Sequence, residues 1–279
     1  MLDELTYISA TGEVATFGSG AYANESDLRD IEWSYSASGK RWKLRRSRSQ
    51  RTVPLRLCIP DAGGYEERDR IVSLMERDCM AQTPGRFVTA NGYELECFVV
   101  GHAFTKYLLR PGYLRDDATV QPTDGAWVRG ESHSYAPKLD DPNQGEFLDL
   151  PYDLPYDLSS PPKAMEITVD ATGEDAPFLL LIFGPAVNPY IKVAGNAYGA
   201  KATLAEGDRL EIDGRAKTVT LITAAGDSID AFDQRTRGSK GSGSYVFERV
   251  PRGVSSLEWD GSFGFDLITY DERSTPPWS

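Results

Sequence analysis

The densest chemical feature of this chain is a run of eight basic residues between positions 40 and 56. They are Lys40, Arg41, Lys43, Arg45, Arg46, Arg48, Arg51 and Arg56, with no acid among them. A guanidinium fork matches phosphate and carboxylate equally well, so the run admits two readings. One is a phosphate-binding stripe; the other is a surface that meets carboxylates on a neighbouring segment or subunit. Only one aromatic, Trp42, is interleaved with the cations, and the whole chain carries a net charge of −12. That balance opposes general affinity for nucleic acid or anionic membranes. The interface reading carries more weight.

Other groupings lack the geometry that chemistry needs. Asp153 and Asp157 stand four apart in a proline-containing stretch, where that spacing does not bring two carboxylates together for acid–base work. The oxygen-rich segment Asp140 to Glu146 partly matches a calcium loop, but eleven positions after Asp141 stands Tyr152, not the bidentate glutamate. His102 and His133 have no cysteine or carboxylate at metal-ligand spacing. The three cysteines, Cys58, Cys79 and Cys97, are an odd number and read as reduced, buried thiols. GSKGSGS lacks the spaced Gly-Lys-Ser/Thr of a phosphate cradle, FGSGAYA is a broken dinucleotide fingerprint, and no G-x-S-x-G is present. The expectation is no catalytic residue, no cofactor and no metal.

The elements around these residues are mostly strands. With 279 residues, 40% hydrophobic and 26% charged, the chain can form one large or two ordinary domains. Its longest apolar run, FLLLIFGPAV, is too short and interrupted to span a bilayer. MLDELTYISATGE has no secretion-signal pattern, so synthesis in a cytoplasm is expected, with exit only inside an assembly. EWSYSA, KRWKLRRS and TVPLRLCI read as strands. EERDRIVSLMERDCM reads as the one helix, with Ile71, Leu74, Met75 and Cys79 on an apolar face. Glu66 and Glu67 favour its first turn, and Thr83-Pro84-Gly85 is expected to stop it. RFVTA-NG-YELECFVVG reads as a hairpin with a type I′ turn at Asn91-Gly92.

Five prolines and a doubled LPYD between Pro137 and Pro162 mark an extended linker. The expected domains are therefore 1–136, the linker 137–162, and 163–279. Behind the linker AMEITVD alternates with period two, and RLEID, KTVTLIT, YVFERV, SLEW and FGFDLITY follow as further strands. Their regular spacing points to a sandwich or jelly-roll layout. RTRGSKGSGS reads as a mobile polar loop.

Several segments together carry a resemblance. They are GPAVNP (Gly184 to Pro189), EGDRLEIDG (Glu206 to Gly214), YVFERVPRGVSSLEW (Tyr245 to Trp259) and ERSTPPW (Glu272 to Trp278). In the front half the order is strands, one helix, then a P-G-R-F-V-x-x-N-G hairpin. In order and spacing the chain resembles the distal tail (Dit) proteins of long-tailed siphovirus bacteriophages, most closely from Phe178 onward.

The resemblance implies a mainly β fold: an N-terminal β-sandwich or split-barrel ring domain with one α-helix, and a C-terminal galectin-like β-sandwich. It implies a non-enzymatic structural protein of the virion, placed at the distal end of the phage tail. Six copies would form a ring that joins the tail tube to the tip and the host-adsorption apparatus. The implied partners are further copies of itself, the tail tube protein, the tape-measure protein, the tail-associated tip protein and, in some relatives, a receptor-binding protein. DNA would pass through the channel without specific binding, and no membrane is engaged. Lys43, Arg45, Arg46, Arg48 and Arg51 are the candidate ring-interface residues, with Glu25, Asp27, Asp30 and Glu32 as their acids. The rival reading is a non-catalytic carbohydrate-binding or adhesion module. It wants a tryptophan under a sugar ring. Trp259 alternates with Leu257 and reads as core, and Trp278 reads as a clamp on the tail.

Overall fold

The computed structural model describes residues 5–18, 20–29, 33–38, 41–46, 52–60, 63–105, 112–138 and 165–277, most of them in short antiparallel strands. Packing divides the chain into two units, Met1–Arg129 with Glu272–Ser279, and Gly130–Asp271. In the first, β1 (Leu5–Ile8) and β2 (Val14–Phe17) form a hairpin followed by β3 (Tyr22–Ala23). A 3-10 turn at Glu25–Arg29 precedes β4 (Trp33–Ser38) and β5 (Arg41–Arg46). Then come β6 (Val53–Pro60), helix α1 (Gly64–Ala81), β7 (Gly85–Thr89), β8 (Glu94–Thr105), β9 (Tyr113–Pro122) and β10 (Trp127–Tyr135). The hydrogen-bonded order is β2-β1-β7-β8-β9-β6-β3, while β4 and β5 make a sheet of their own.

Period-two patterning explains the strands. On β6, Leu55, Leu57 and Ile59 turn inward while Pro54 and Arg56 face water. Helix α1 buries Ile71, Leu74, Met75 and Asp78. Its stop differs from expectation. Gln82, in the left-handed conformation with φ 53°, ends it, and the Gln82 and Thr83 N–H groups donate to the Cys79 and Asp78 carbonyls, a C-terminal device that satisfies the last turn. Gly85 instead opens β7. The Asn91-Gly92 hairpin is also corrected: Gly92 N–H donates to Thr89 O and Thr89 N–H to Tyr93 O. Only Gly92 has positive φ, 78°. The loop is one residue longer than a two-residue turn, and glycine takes the left-handed position that closes it.

The second unit opens with the Gly130–Tyr135 part of β10 and continues with β11 (Met165–Val169), β12 (Asp175–Ala176), β13 (Phe178–Phe183), β14 (Ala186–Val187), β15 (Tyr190–Val193) and β16 (Asn196–Gly199). After these come β17 (Thr203–Leu204), β18 (Arg209–Asp213), β19 (Thr218–Ile222), β20 (Ser228–Asp230), β21 (Val250–Pro251), β22 (Gly253–Glu258) and β23 (Gly264–Arg273). One sheet runs β23-β13-β18-β19-β20 and the other β11-β22-β15-β16. Phe178, Leu180, Ile182, Leu210, Ile212, Phe265 and Leu267 of the first pack with Ile167, Val169, Ile191, Val193 and Leu257 of the second in one apolar core. This is a β-sandwich. The whole described chain is mainly β with one α-helix.

One expectation fails here. Tyr245–Arg249 is no strand; Glu248 N–H donates to Tyr245 O in a turn, and Val246, Phe247 and Val250 are buried by that turn. RTRGSKGSGS is tied along the edge of β16. Thr236 N–H donates to Gly199 O, and Ala197 N–H to Gly243 O. Of the linker, 139–162 lies outside the described residues, while Lys138 N–H donates to Gly261 O. All three cysteines are free, and burial pushes the Cys97 thiol well above its ordinary pKa.

Candidate assembly surface

The basic run divides into two parts with different fates. Lys43, Arg45 and Arg46 lie on β5, with Ser36, Ser34 and Trp33 of β4 opposite them in register; Arg48 and Arg51 lie outside the described residues. Four of the six β5 residues are basic and β4 carries no charge. Among the described residues this ribbon pairs with no other strand.

Arg56, the last cation of the run, is committed within the chain. Its Nη2 donates to Asp27 Oδ1 at 2.8 Å, and its Nε and backbone N–H donate to Oδ2 at 3.1 and 3.2 Å. Asn24 reinforces the corner, donating its Nδ2 to Asp27 Oδ1 and its backbone N–H to Arg56 O. The Asp27 bond raises the Arg56 pKa further above its ordinary value. Asp27 is therefore an internal staple, not an acid free for a neighbour's ribbon; its burial decides this. Of the other expected acids, Asp30 and Glu32 lie outside the described residues, as does the side chain of Glu25.

A second charged group lies under the helix. Asp116 of β9 is 1% exposed, with Arg68 Nε of α1 3.0 Å and His102 Nδ1 of β8 3.3 Å from its Oδ2. The Arg68 guanidinium also lies 4.7 Å from the centroid of Phe104, whose ring meets Tyr65 edge-on. These residues hold α1 to the β8–β9 pair. Arg68→Met, which leaves the buried Asp116 carboxylate with His102 alone, is expected to cost the first unit about 3 kcal/mol. A urea midpoint unchanged by that substitution would refute the assignment.

Among the described residues no group of three or more His, Cys, Asp or Glu could hold a metal ion. None of their helices is long and apolar enough to cross a membrane. Trp259 packs on the margin of the core, 5.4 Å from the Phe265 ring and 5.8 Å from Tyr135, and its Nε1 donates to Phe263 O. Lys138 Nζ lies 4.9 Å from its ring centroid, a cation on an indole already in use. Trp278 lies outside the described residues.

The fold of this chain has counterparts among solved structures of phage tail components. A chain of the phage P2 baseplate in its activated conformation with Ca is similar over 99% of this chain and 100% of that one, with TM-score 0.56 and 10% identity. The same baseplate with Sr gives the same figures. The SPP1 Dit protein, described as a paradigm of the hub adsorption apparatus in phages infecting Gram-positive hosts, is similar over 96% of this chain and 99% of its own, with TM-score 0.53 and 8% identity. No protein-family model and no curated protein sequence matches. What is shared at these identities is the fold.

Proposed function

We propose that this chain is a structural protein of a phage tail tip, a distal tail or baseplate hub protein. The observation that carries the reading is likeness across both units, end to end, with a phage P2 baseplate chain and SPP1 Dit. Fold alone does not assign function; here it is joined to a basic β4–β5 ribbon that pairs only with itself among the described residues. In this reading six copies close head to tail into a ring, a heterologous contact that repeats around an axis. The first unit forms the ring, and the β-sandwich unit is the outward galectin-like domain. The ring joins the tail tube, with the end of the tape-measure protein, to the tail-associated tip protein. The outer domain supports a receptor-binding protein, and DNA passes through the channel without specific contacts. The protein resides in the virion after synthesis in the host cytoplasm and performs no chemical step.

The ring contact is assigned to Lys43, Arg45, Arg46, Arg48 and Arg51 against acidic residues of the next copy, in a chain whose net charge is −12. Reversing Arg45 and Arg46 to Glu is expected to turn attraction into repulsion and leave monomers, with an unchanged circular dichroism spectrum. A double variant that assembles as well as the parent would sink this assignment.

A further inference from the structure

The ribbon's strands lie in the chain between Arg29 and Val53, so whatever fixes those two ends sets its root. At the far end, Arg56 is stapled to Asp27 by three hydrogen bonds, and β3 pairs with β6 at Tyr22–Cys58 and Ala23–Leu57. At the near end, Trp127 Nε1 donates to Leu28 O at 3.4 Å. Arg29, four residues before β4, is only 8% exposed. Its Nη1 donates to Pro276 O at 2.7 Å and to Pro277 O at 3.2 Å. Asn91, in the β7–β8 turn, donates Nδ2 to the same Pro277 carbonyl at 2.9 Å. Arg273, just ahead of the tail, places its guanidinium 5.5 Å from the Tyr93 ring centroid, and Arg129 lies 5.0 Å from the same ring.

We infer that the C-terminal tail is a lock on the root of the basic ribbon. The tail's two proline carbonyls supply acceptors to a buried guanidinium, and a buried charged donor that loses acceptors is costly. Undocking the tail therefore takes two acceptors from Arg29 and loosens the segment from which the ribbon departs. Prolines suit the part, since they bring carbonyls without competing N–H donors and hold φ near one value. Coupling of this kind runs both ways. A partner that pins the ribbon strengthens tail docking, and a docked tail presents the ribbon in one pose. As a device for assembly the lock rests on the ring reading; as a local coupling it does not.

Hydrogen exchange tests it in three chains: the full-length protein, a truncation after Ser274, and Asn91→Ala as a milder variant in case the truncation does not fold. Each is also made in the Arg45→Glu/Arg46→Glu background, so that exchange is read without a neighbour on the ribbon. Truncation is expected to speed exchange over 24–29 and 33–46 by about tenfold or more, and Asn91→Ala by less, while 116–120 of β9 stays protected. Unchanged protection at 24–29 in both variants overturns the lock. Tail-dependent protection in a protein that never forms rings keeps the lock and overturns the ring reading.

Discussion

Gly85→Ala is expected to destabilise the first unit by about 4 kcal/mol, lowering its melting temperature by roughly 10–15 °C. The added methyl would land on the Tyr7 hydroxyl, 2.6 Å from Tyr7 Cζ and 2.7 Å from Asp78 Oδ2. Neither neighbour can step aside. Tyr7 is fully buried with its ring 5.0 Å from Phe87, and its hydroxyl donates to Asp78 Oδ2 at 2.6 Å. Asp78, itself 2% exposed, accepts the Ala10 N–H on its other oxygen. Burial first, and then the Asp78 bond, push the Tyr7 phenol far above its ordinary pKa, so the proton stays where the hydrogen bond needs it. Overpacking and the loss of a buried charge-assisted bond thus act together. Gly92→Ala is the control, because its φ of 78° is strained for alanine but nothing lies within 4 Å of the new methyl. It should cost only about 1 kcal/mol. Equal losses from the two variants, read by thermal melts, would remove the steric argument.

Phe265→Ala should cost the second unit about 3–5 kcal/mol, the range for deleting a fully buried phenylalanine. Phe265 is 0% exposed on β23 and stacks 4.8 Å from Tyr135, with Trp259 5.4 Å and Phe263 6.2 Å away. Four aromatics meet there, and deleting the Phe265 ring removes three ring contacts at once. Trp259 fluorescence reports the change, since its indole loses a packing partner and becomes more exposed to water. A denaturation midpoint within error of the parent would show that this cluster is peripheral to the sandwich.

Which parts of this structure are legible in the sequence follows from what each residue faces. Helix α1 is legible because Ile71, Leu74 and Met75 recur at helical spacing and all turn inward. Cys79 shares that period but ends half-buried, its thiol donating to Val99 O. Strand β9 is not legible: its inward row is Leu114, Asp116, Ala118, Val120 and Pro122, and a carboxylate in a buried position breaks the alternation. Only the approach of Arg68 and His102 from other elements makes that position tolerable. Tyr245–Val250 alternates like a strand because its apolar residues plug the sandwich from a turn.

The candidate surface is legible as charge and not as geometry. Spacing gives no means to separate Arg56 from Arg45, yet one is bound to Asp27 and the other sits on a ribbon that pairs only with itself among the described residues. The seat of the tail was out of reach for the same reason. Arg29 and Pro276 are 247 positions apart, and no local pattern announces their contact. The return of Glu272–Ser279 to the first unit is a property of the folded chain alone.

The mass of the purified protein in solution, with electron images of the same sample, tests the proposed ring most directly. The expected particle has about six times the mass of the 30.8 kDa chain and is closed around a central hole with knobs at its periphery. A monodisperse monomer, with no closed particles in the images at any concentration, would contradict it.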